Sequence, residues 1–407
     1  MGKDRVNAAI VGLGFGVQFI PIYKRHPRAN MYAICRRSRV ALDAVGNAFG
    51  VERRYDRFDE VLADPDVDFV HINSPLTDHG WMSIAALKAG KHVMCTVPMA
   101  LEVDECGEIV RLVRETGLKY MMAETVLYSR EYFYAQELYA SGRLGRIQFL
   151  QGSHHQDMDG WPDGWPGLPP MYYATHCISP CLSLVSGEAE YVSCFGSGRI
   201  KEELIARYGS PYAVESAHIS LRDSDVCARV YRALFDTARQ YRESFDVFGT
   251  KMSIEWPLVE GEGLVLHTAK ESQAKTTQRA VAPDYADRLP EPIRHFTTRT
   301  FLDLPEYAHL ADSSGADPDG THAHLVTDPG SLEGHGGSHP HLVHEFVSAL
   351  IEDRNPFPNA VQSANTTCAG ILAHESAMKG GVRLRLPDFA FGPPAYEQLY
   401  QTQGAQT

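Results

Sequence analysis

From residue 6 to residue 123 the chain alternates short apolar runs with stretches whose apolar residues recur at helical spacing. Val6–Val11, Met31–Cys35, Phe69–Asn73, His92–Cys95 and Tyr120–Ala123 read as buried strands. A helix through about Lys24, then Val40–Phe49, Gly80–Ala89 and Leu101–Thr116, read as the intervening helices, with Gly50, Gly90 and Gly117 as stop signals. This β-α alternation predicts an N-terminal doubly wound parallel sheet of Rossmann type over residues 1–125.

The pattern changes after Ser129. A helix over Arg130–Ala140 leads into a period-two strand, Ile147–Gly152, and then a loop rich in Gly, Pro and Trp from Asp157 to Pro170. Tyr191–Ser197, Ala217–Leu221, Val226–Leu234, Ser244–Phe248 and Met252–Trp256 follow as strands with short turns. Residues 270–337 are polar and weakly periodic, and read as an extended arm rather than a third core. Two helices close the chain, His341–Ile351 and about Val361–Lys379. Residues 126–407 are therefore expected to form an α+β domain with a large, open, mostly antiparallel sheet.

At 407 residues the chain suits two domains rather than one core. Its formal charge of -13 disfavours a nucleic-acid groove or an anionic membrane surface as partner. No apolar run is long enough to span a bilayer, and the opening MGKDRVNAAIVG reads as a strand entry rather than a signal peptide. The scattered cysteines, without a CxxC pair, read as reduced thiols. Together these features predict a cytoplasmic protein.

The first candidate chemistry is Gly12-Leu13-Gly14-Phe15-Gly16, after a strand and opening a helix. In that context the backbone can approach a pyrophosphate, and the helix N-terminus offers N–H donors to it. The second strand ends in Cys35-Arg36-Arg37-Ser38, without the carboxylate that commonly holds the ribose diol of NAD. Arg36 and Arg37 can clamp a 2′-phosphate, which leans the cofactor towards NADP; they can equally stack on adenine or be solvated surface cations. Ser74-Pro75-Leu76-Thr77-Asp78-His79 ends the third strand, and a turn of this kind shapes the nicotinamide–ribose edge.

The GLGFG turn, SPLTDH, GKHVMCTVP, the antiparallel domain and Gly249-Thr250 before a strand resemble the Gfo/Idh/MocA (glucose–fructose oxidoreductase / inositol dehydrogenase / rhizopine catabolism) family over nearly the whole length. The resemblance implies an NAD(P)-dependent oxidoreductase, with Thr96, Val97 and Pro98 beside the nicotinamide. Two departures stand out. The family's Glu-Lys-Pro, whose lysine works in hydride transfer, is here Thr96-Val97-Pro98. Its D-x-G-x-H is Tyr172-Tyr173-Ala174-Thr175-His176, so only the histidine remains. The stretches THCISP, AETVLYSREYF and GSHHQDMDGW resemble a subgroup carrying the TVP variant, whose members oxidise a sugar 3-hydroxyl in plant glycosides, C-glycosides included.

The resemblance makes His176 the expected acid/base, an imidazole having a suitable pKa for a hydroxyl proton. Replacements for the missing lysine are sought among Glu124, Tyr128, His154, His155 and Asp157. Trp161 and Trp165 suit stacking on a sugar or aglycone or packing under their proline-rich loop, and Tyr172 joins the candidate substrate contacts. The histidines of His154-His155-x-Asp157 and Ser338-His339-Pro340-His341-x-x-His344 lack motif-grade metal spacing, and no metal site is assigned. The leading expectation is a homo-oligomeric enzyme that oxidises a secondary hydroxyl, at C3, of a small-molecule sugar or glycoside. The alternatives are a catalytically reduced nucleotide-binding or sensor subunit, a redox-neutral glycoside-cleaving enzyme, and a metal-dependent isomerase or hydrolase.

Overall fold

The computed structural model describes residues 4–158, 168–239, 241–259, 261–269, 275–307 and 334–389. They form two compact units, one of Met1–Ala100, Asp104–Ser129 and Asp284–Ala360, the other of Leu101–Val103, Arg130–Pro283 and Val361–Thr407.

In chain order the first unit begins with β1 (Val6–Val11), α1 (Ile20–Arg25), β2 (Ala29–Cys35), α2 (Arg39–Phe49), β3 (Arg53–Tyr55), α3 (Phe58–Ala63) and β4 (Phe69–Ile72). It continues with α4 (His79–Lys88), β5 (His92–Thr96), α5 (Val103–Thr116) and β6 (Tyr120–Ala123). The six strands are all parallel, in the order β3-β2-β1-β4-β5-β6. The order reverses beside β1, which is the switch point where such sheets bind ligands. The five strands expected from apolar runs are present. The sixth, β3, was missed because it is a three-residue edge strand of sequence Arg-Arg-Tyr and carries no apolar run.

The second unit holds α6 (Arg130–Ala140), β7 (Ile147–His155), α7 (Thr175–Leu184), β8 (Ala189–Ser197), α8 (Glu202–Tyr208), β9 (Val214–Leu221), β10 (Cys227–Ala233), β11 (Arg242–Gly249), β12 (Met252–Glu255), β13 (Leu264–Ala269) and β14 (Lys275–Ala280). Helices α9 (Gly334–Ile351) and α10 (Ala360–Met378) and the short β15 (Leu384–Arg385) follow in the chain. Nine strands pair in the order β14-β13-β12-β11-β7-β10-β9-β8-β15. All neighbours are antiparallel except β10 and β7. Helix α7 packs on β7, β10 and β11 and buries that face.

The polar stretch read as an arm divides between the units. Its start supplies β14 in the second unit, whereas Asp284–Tyr307 lies in the first. Phe301 and Tyr307 pack their rings on Phe49 at 5.4 and 5.1 Å. Helix α9 lies in the first unit too, with Phe346 fully buried against Phe69 of β4. A sheet with helices on both faces needs such cover, and a distant segment provides part of it.

Several histidines in this unit are buried neutral. Burial pushes His26, His71 and His341 down to about 3 and His92 down to about 4. In the unfolded chain these imidazoles take up protons near pH 6.5. Between the two ranges the unfolded state binds more protons, so their contribution is complete above about pH 6.5 and is lost as pH falls towards 4. The urea midpoint is expected to drop over that window, and a His26→Gln/His92→Gln variant to show a shallower drop.

Candidate active site

In the first unit the nucleotide-binding candidates gather at the carboxyl ends of β1, β2, β4 and β5. Gly12 has φ +90°, and a Cβ there would lie 2.3 Å from the carbonyl oxygen of Asn73. Only glycine lets β1 turn so close to the end of β4. The Gly12 N–H donates to Cys35 O at 3.0 Å, which ties in the end of β2. Gly16 packs just as tightly, since a Cβ would sit 2.8 Å from Ile10 Cγ2. Gly14 differs: a Cβ there meets nothing within 4 Å. Phe15 starts the one-and-a-half-turn 3-10 segment Phe15–Phe19 that leads into α1. Its ring stands edge-on to His335 and His339 at 5.9 and 5.3 Å.

His79 knits the other two strand ends together. It is fully buried, with Nδ1 2.7 Å from Pro98 O and Nε2 3.0 Å from Ser74 O. Burial holds its pKa below the ordinary range. Its neutral ring carries one N–H, so it donates to one of these carbonyls and lies against the other, a clamp between the Ser74-Pro75 turn and the cis Val97-Pro98 turn. Thr96 Oγ1 donates to Ile72 O at 3.1 Å, and Val97 is buried.

Arg36 is half-buried and Arg37 exposed, while Ser38 caps α2 by accepting from Ala41 N. Asn73 Oδ1 and Ser74 Oγ are buried without a protein hydrogen-bond partner. Open space at Gly14 beside such atoms, at a sheet switch point, fits a dinucleotide.

Glu124 and Tyr128 stand beyond β6 with structural bonds. The Glu124 carboxylate accepts from Val126 N at 3.3 Å and caps the turn Thr125–Tyr128. The Tyr128 hydroxyl donates to Phe357 O.

In the second unit a buried polar row crosses the sheet. Strand pairing sets Glu243 of β11 opposite His154 of β7, His154 beside Arg232 of β10, and Arg232 opposite Glu215 of β9. His154, Arg232 and Glu215 are fully buried. Arg232 donates to Tyr173 O (3.0 Å), His154 O (3.3 Å), Ala233 O (2.6 Å) and Gln156 Oε1 (2.8 Å). Burial pushes its guanidinium down to about 10, which leaves it charged. Glu215 accepts from Met171 N (3.1 Å), Ser210 Oγ (3.1 Å) and His374 Nδ1 (2.8 Å).

His176, near the start of α7, meets this row. Its ring lies 4.9 Å from His154 and 5.6 Å from Tyr173, and its Nε2 is 3.7 Å from Glu243 Oε1. The same Glu243 oxygen accepts the Tyr241 hydroxyl proton, and burial beside that carboxylate keeps the Tyr241 phenol well above its ordinary pKa. This is a compact acid–base cluster around an imidazole.

The residues marked from sequence therefore separate. His154 joins His176. His155, next along β7, points to the opposite face and meets Tyr231 Oη at 3.1 Å; burial pushes it down to about 4. Tyr172 turns away to pack edge-on against His374, while Tyr173 faces the cluster. Asp157 is exposed just beyond β7, and Trp161 and Trp165 lie outside the described residues. Sequence reading missed Tyr173, Arg232, Tyr241 and Glu243. A signal for two partners was present: Glu215 and Arg232 each occupy the apolar phase of their strands, with Ala217, Ile219 and Leu221, and with Ala228 and Val230. Charged residues in a buried phase need a reason.

Residues 6–124 match the family described as "Oxidoreductase family, NAD-binding Rossmann fold", and residues 132–255 match the "GFO/IDH/MocA C-terminal domain". The chain belongs to the Gfo/Idh/MocA oxidoreductase family. Among relatives of this family member, "Uncharacterized oxidoreductase ORF334" of Rhizobium meliloti is 33% identical over 120 residues, covering 30% of this chain and 36% of that protein. A "Glycosyl hydrolase family 109 protein" of Shewanella baltica (strain OS155) is 29% identical over 249 residues, covering 55% and 54%.

The chain spans about two fifths of the length of the first curated relatives it matches. Levoglucosan dehydrogenase in complex with NADH and levoglucosan has the same fold, with TM-score 0.73 at 19% identity over 94% of this chain and 100% of that one. An oxidoreductase domain protein from Kribbella flavida gives TM-score 0.72 at 18% identity, with coverage of 94% and 100%. No helix among the described residues is long and apolar enough to cross a membrane.

Two substitutions test the two halves. Gly14→Val meets open space and is expected to leave stability within about 0.5 kcal/mol. It should weaken NAD(P)H binding at least about tenfold, read by nicotinamide fluorescence, because its side chain fills the approach to the backbone. Arg232→Met strands buried carbonyls and leaves a carboxylate row without its cation. It is expected to cost about 3–5 kcal/mol in chemical denaturation.

Proposed function

We propose that the protein oxidises a secondary hydroxyl, at C3, of a sugar or glycoside with NAD(P)+, and that His176 is the acid/base. The observation that carries the reading is His176 itself, buried at 3% exposure and grouped with His154, Tyr173 and Glu243. Neutral, the imidazole accepts the hydroxyl proton; protonated, it returns it in the reverse reaction. The nicotinamide, when bound, supplies the hydride acceptor. Gly12, Gly14, Phe15 and Gly16 would hold the pyrophosphate, with Ser74, Pro75, His79, Thr96, Val97 and Pro98 forming the nicotinamide end. Arg36 and Arg37, with no acid between Cys35 and Ser38, support NADP over NAD. Levoglucosan dehydrogenase, crystallised with NADH and a sugar, has this fold, which favours a carbohydrate substrate. The same reading has a homo-oligomer working in the cytoplasm on a small-molecule substrate.

A second reading is redox-neutral glycoside cleavage, in which transient oxidation permits loss of the aglycone. The match to glycosyl hydrolase family 109 proteins over 249 residues favours it.

Purified protein is to be incubated with glycosides and NAD+ or NADP+, following nicotinamide absorbance and free aglycone together. The first reading expects reduced cofactor and a 3-keto product; the second expects aglycone without net reduction. His176→Ala is expected to lower turnover by about 100- to 10,000-fold. Unchanged turnover in that variant overturns the assignment of His176.

A further inference from the structure

We propose that Glu243, held by Tyr241, is the positioning residue of His176 and supplies the negative charge that the family pattern places four residues before this histidine. The proposal rests on the reading of His176 as the acid/base. In this chain that earlier position is Tyr172, whose ring is turned towards His374. A carboxylate comes instead from β11. Antiparallel pairing of β11 with β7 sets Glu243 opposite His154, and α7 lies over β7, β10 and β11, so His176 descends onto the pair. Nε2 of His176 and Oε1 of Glu243 are 3.7 Å apart, with side chains only 4% and 12% exposed. Within that distance, in a buried setting, an opposite charge strongly favours the imidazolium.

The need for such a charge follows from the surroundings. Meeting His176 are His154 from β7, Tyr173 from the preceding turn and Glu243 of β11; behind them stand Tyr241, just before β11, against His154 and Glu243, and Arg232 of β10 against Tyr173, while α6 presents Tyr132 against Phe245 of β11. Arg232 is a buried cation packed on the Tyr173 ring, 5.5 Å from its centroid, and His176 packs on that same ring. Glu243 thus places an anion beside His176 in surroundings whose buried cation, Arg232, packs on the same Tyr173 ring. In the oxidation, the carbinol C–H bond breaks with its electron pair leaving as hydride to oxidised nicotinamide. The O–H proton passes to His176 as the C=O bond forms, and Glu243 offsets the charge so created. Tyr241 donates to the same carboxylate oxygen and fixes where that charge sits.

The test follows His176 in the full-length protein without cofactor, by NMR of labelled histidine side chains, with the signal assigned through His176→Gln. Glu243→Gln is expected to lower the His176 titration midpoint by about one unit or more. Tyr241→Phe keeps the carboxylate and should leave the midpoint unchanged or raise it. Glu243→Asp should restore most of the wild-type value, and it reports on charge even if the glutamine variant folds poorly. In turnover, the acidic limb of the kcat/KM profile for oxidation, where His176 loses its role as base on protonation, should move with the NMR midpoint, while the affinity for NAD(P)H stays the same. A midpoint equal in wild type and Glu243→Gln overturns the proposal. So does a fall in Tyr241→Phe as large as in Glu243→Gln, because that would mark a packing effect. If the midpoints shift as expected but no glycoside is oxidised, Glu243 keeps its role and the oxidoreductase reading fails.

Discussion

Burying the Arg232 guanidinium is the constraint that organises the second unit around its imidazole. A full charge without access to water must be surrounded by acceptors, and four are supplied, three of them backbone carbonyls. Each carbonyl belongs to a segment that the site needs. Tyr173 O anchors the turn leading into α7, His154 O anchors the end of β7, and Ala233 O belongs to the strand beside it. Arginine here acts less as a surface cation than as a bracket, so the positions of His154 and His176 follow from satisfying one buried charge. The row Glu243–His154–Arg232–Glu215 then sets a titratable ring between a carboxylate and a guanidinium, an arrangement that sets protonation more than it adds stability.

The first unit solves a different problem with similar means. Its glycine turn must pass close under the end of β4, and the conformation of Gly12 permits it. His79 then holds the β4 and β5 turns in one geometry by reaching two backbone carbonyls from a buried position. Val97 sits in that clamp with its side chain buried. What the loss of lysine at this position removed was a charge, not the turn that presents the backbone. In the second unit Glu215, Arg232 and Glu243 lie on β9, β10 and β11.

Most elements were legible because their periods are strong. Five of six parallel strands and four of the five helices between them follow from apolar runs and helical periodicity, the short α3 being missed. Edge strand β3 was not, since an edge needs no apolar run to pair. Strand β14 escaped for a similar reason, since Lys275–Ala280 is polar throughout but for its last residue and lies at the sheet's edge; β13, with the sequence LVLHTA inside the sheet, was missed despite its apolar start. Among candidate site residues, the glycine turn, His79 and His176 were marked because local motifs carry them. Tyr172 and Tyr173 were indistinguishable in sequence, being adjacent aromatics in a turn; the backbone sends one to His374 and the other to His176.

The order of residues by itself determined the parallel nucleotide-binding sheet, the change to a largely antiparallel sheet, and the family pattern with its two departures. Those properties rest on local periodicity and on short motifs, which need no knowledge of distant contacts. Tertiary structure alone decided which carboxylate meets His176, which of two neighbouring histidines joins it, and that Asp284–Ala360 packs with the first unit. Glu243 lies 67 residues from His176 along the chain, and strand register together with the packing of α7 on the sheet, not spacing, brings them to 3.7 Å. Register is a property of the whole sheet, since a slip of one residue would turn every one of these side chains to the other face.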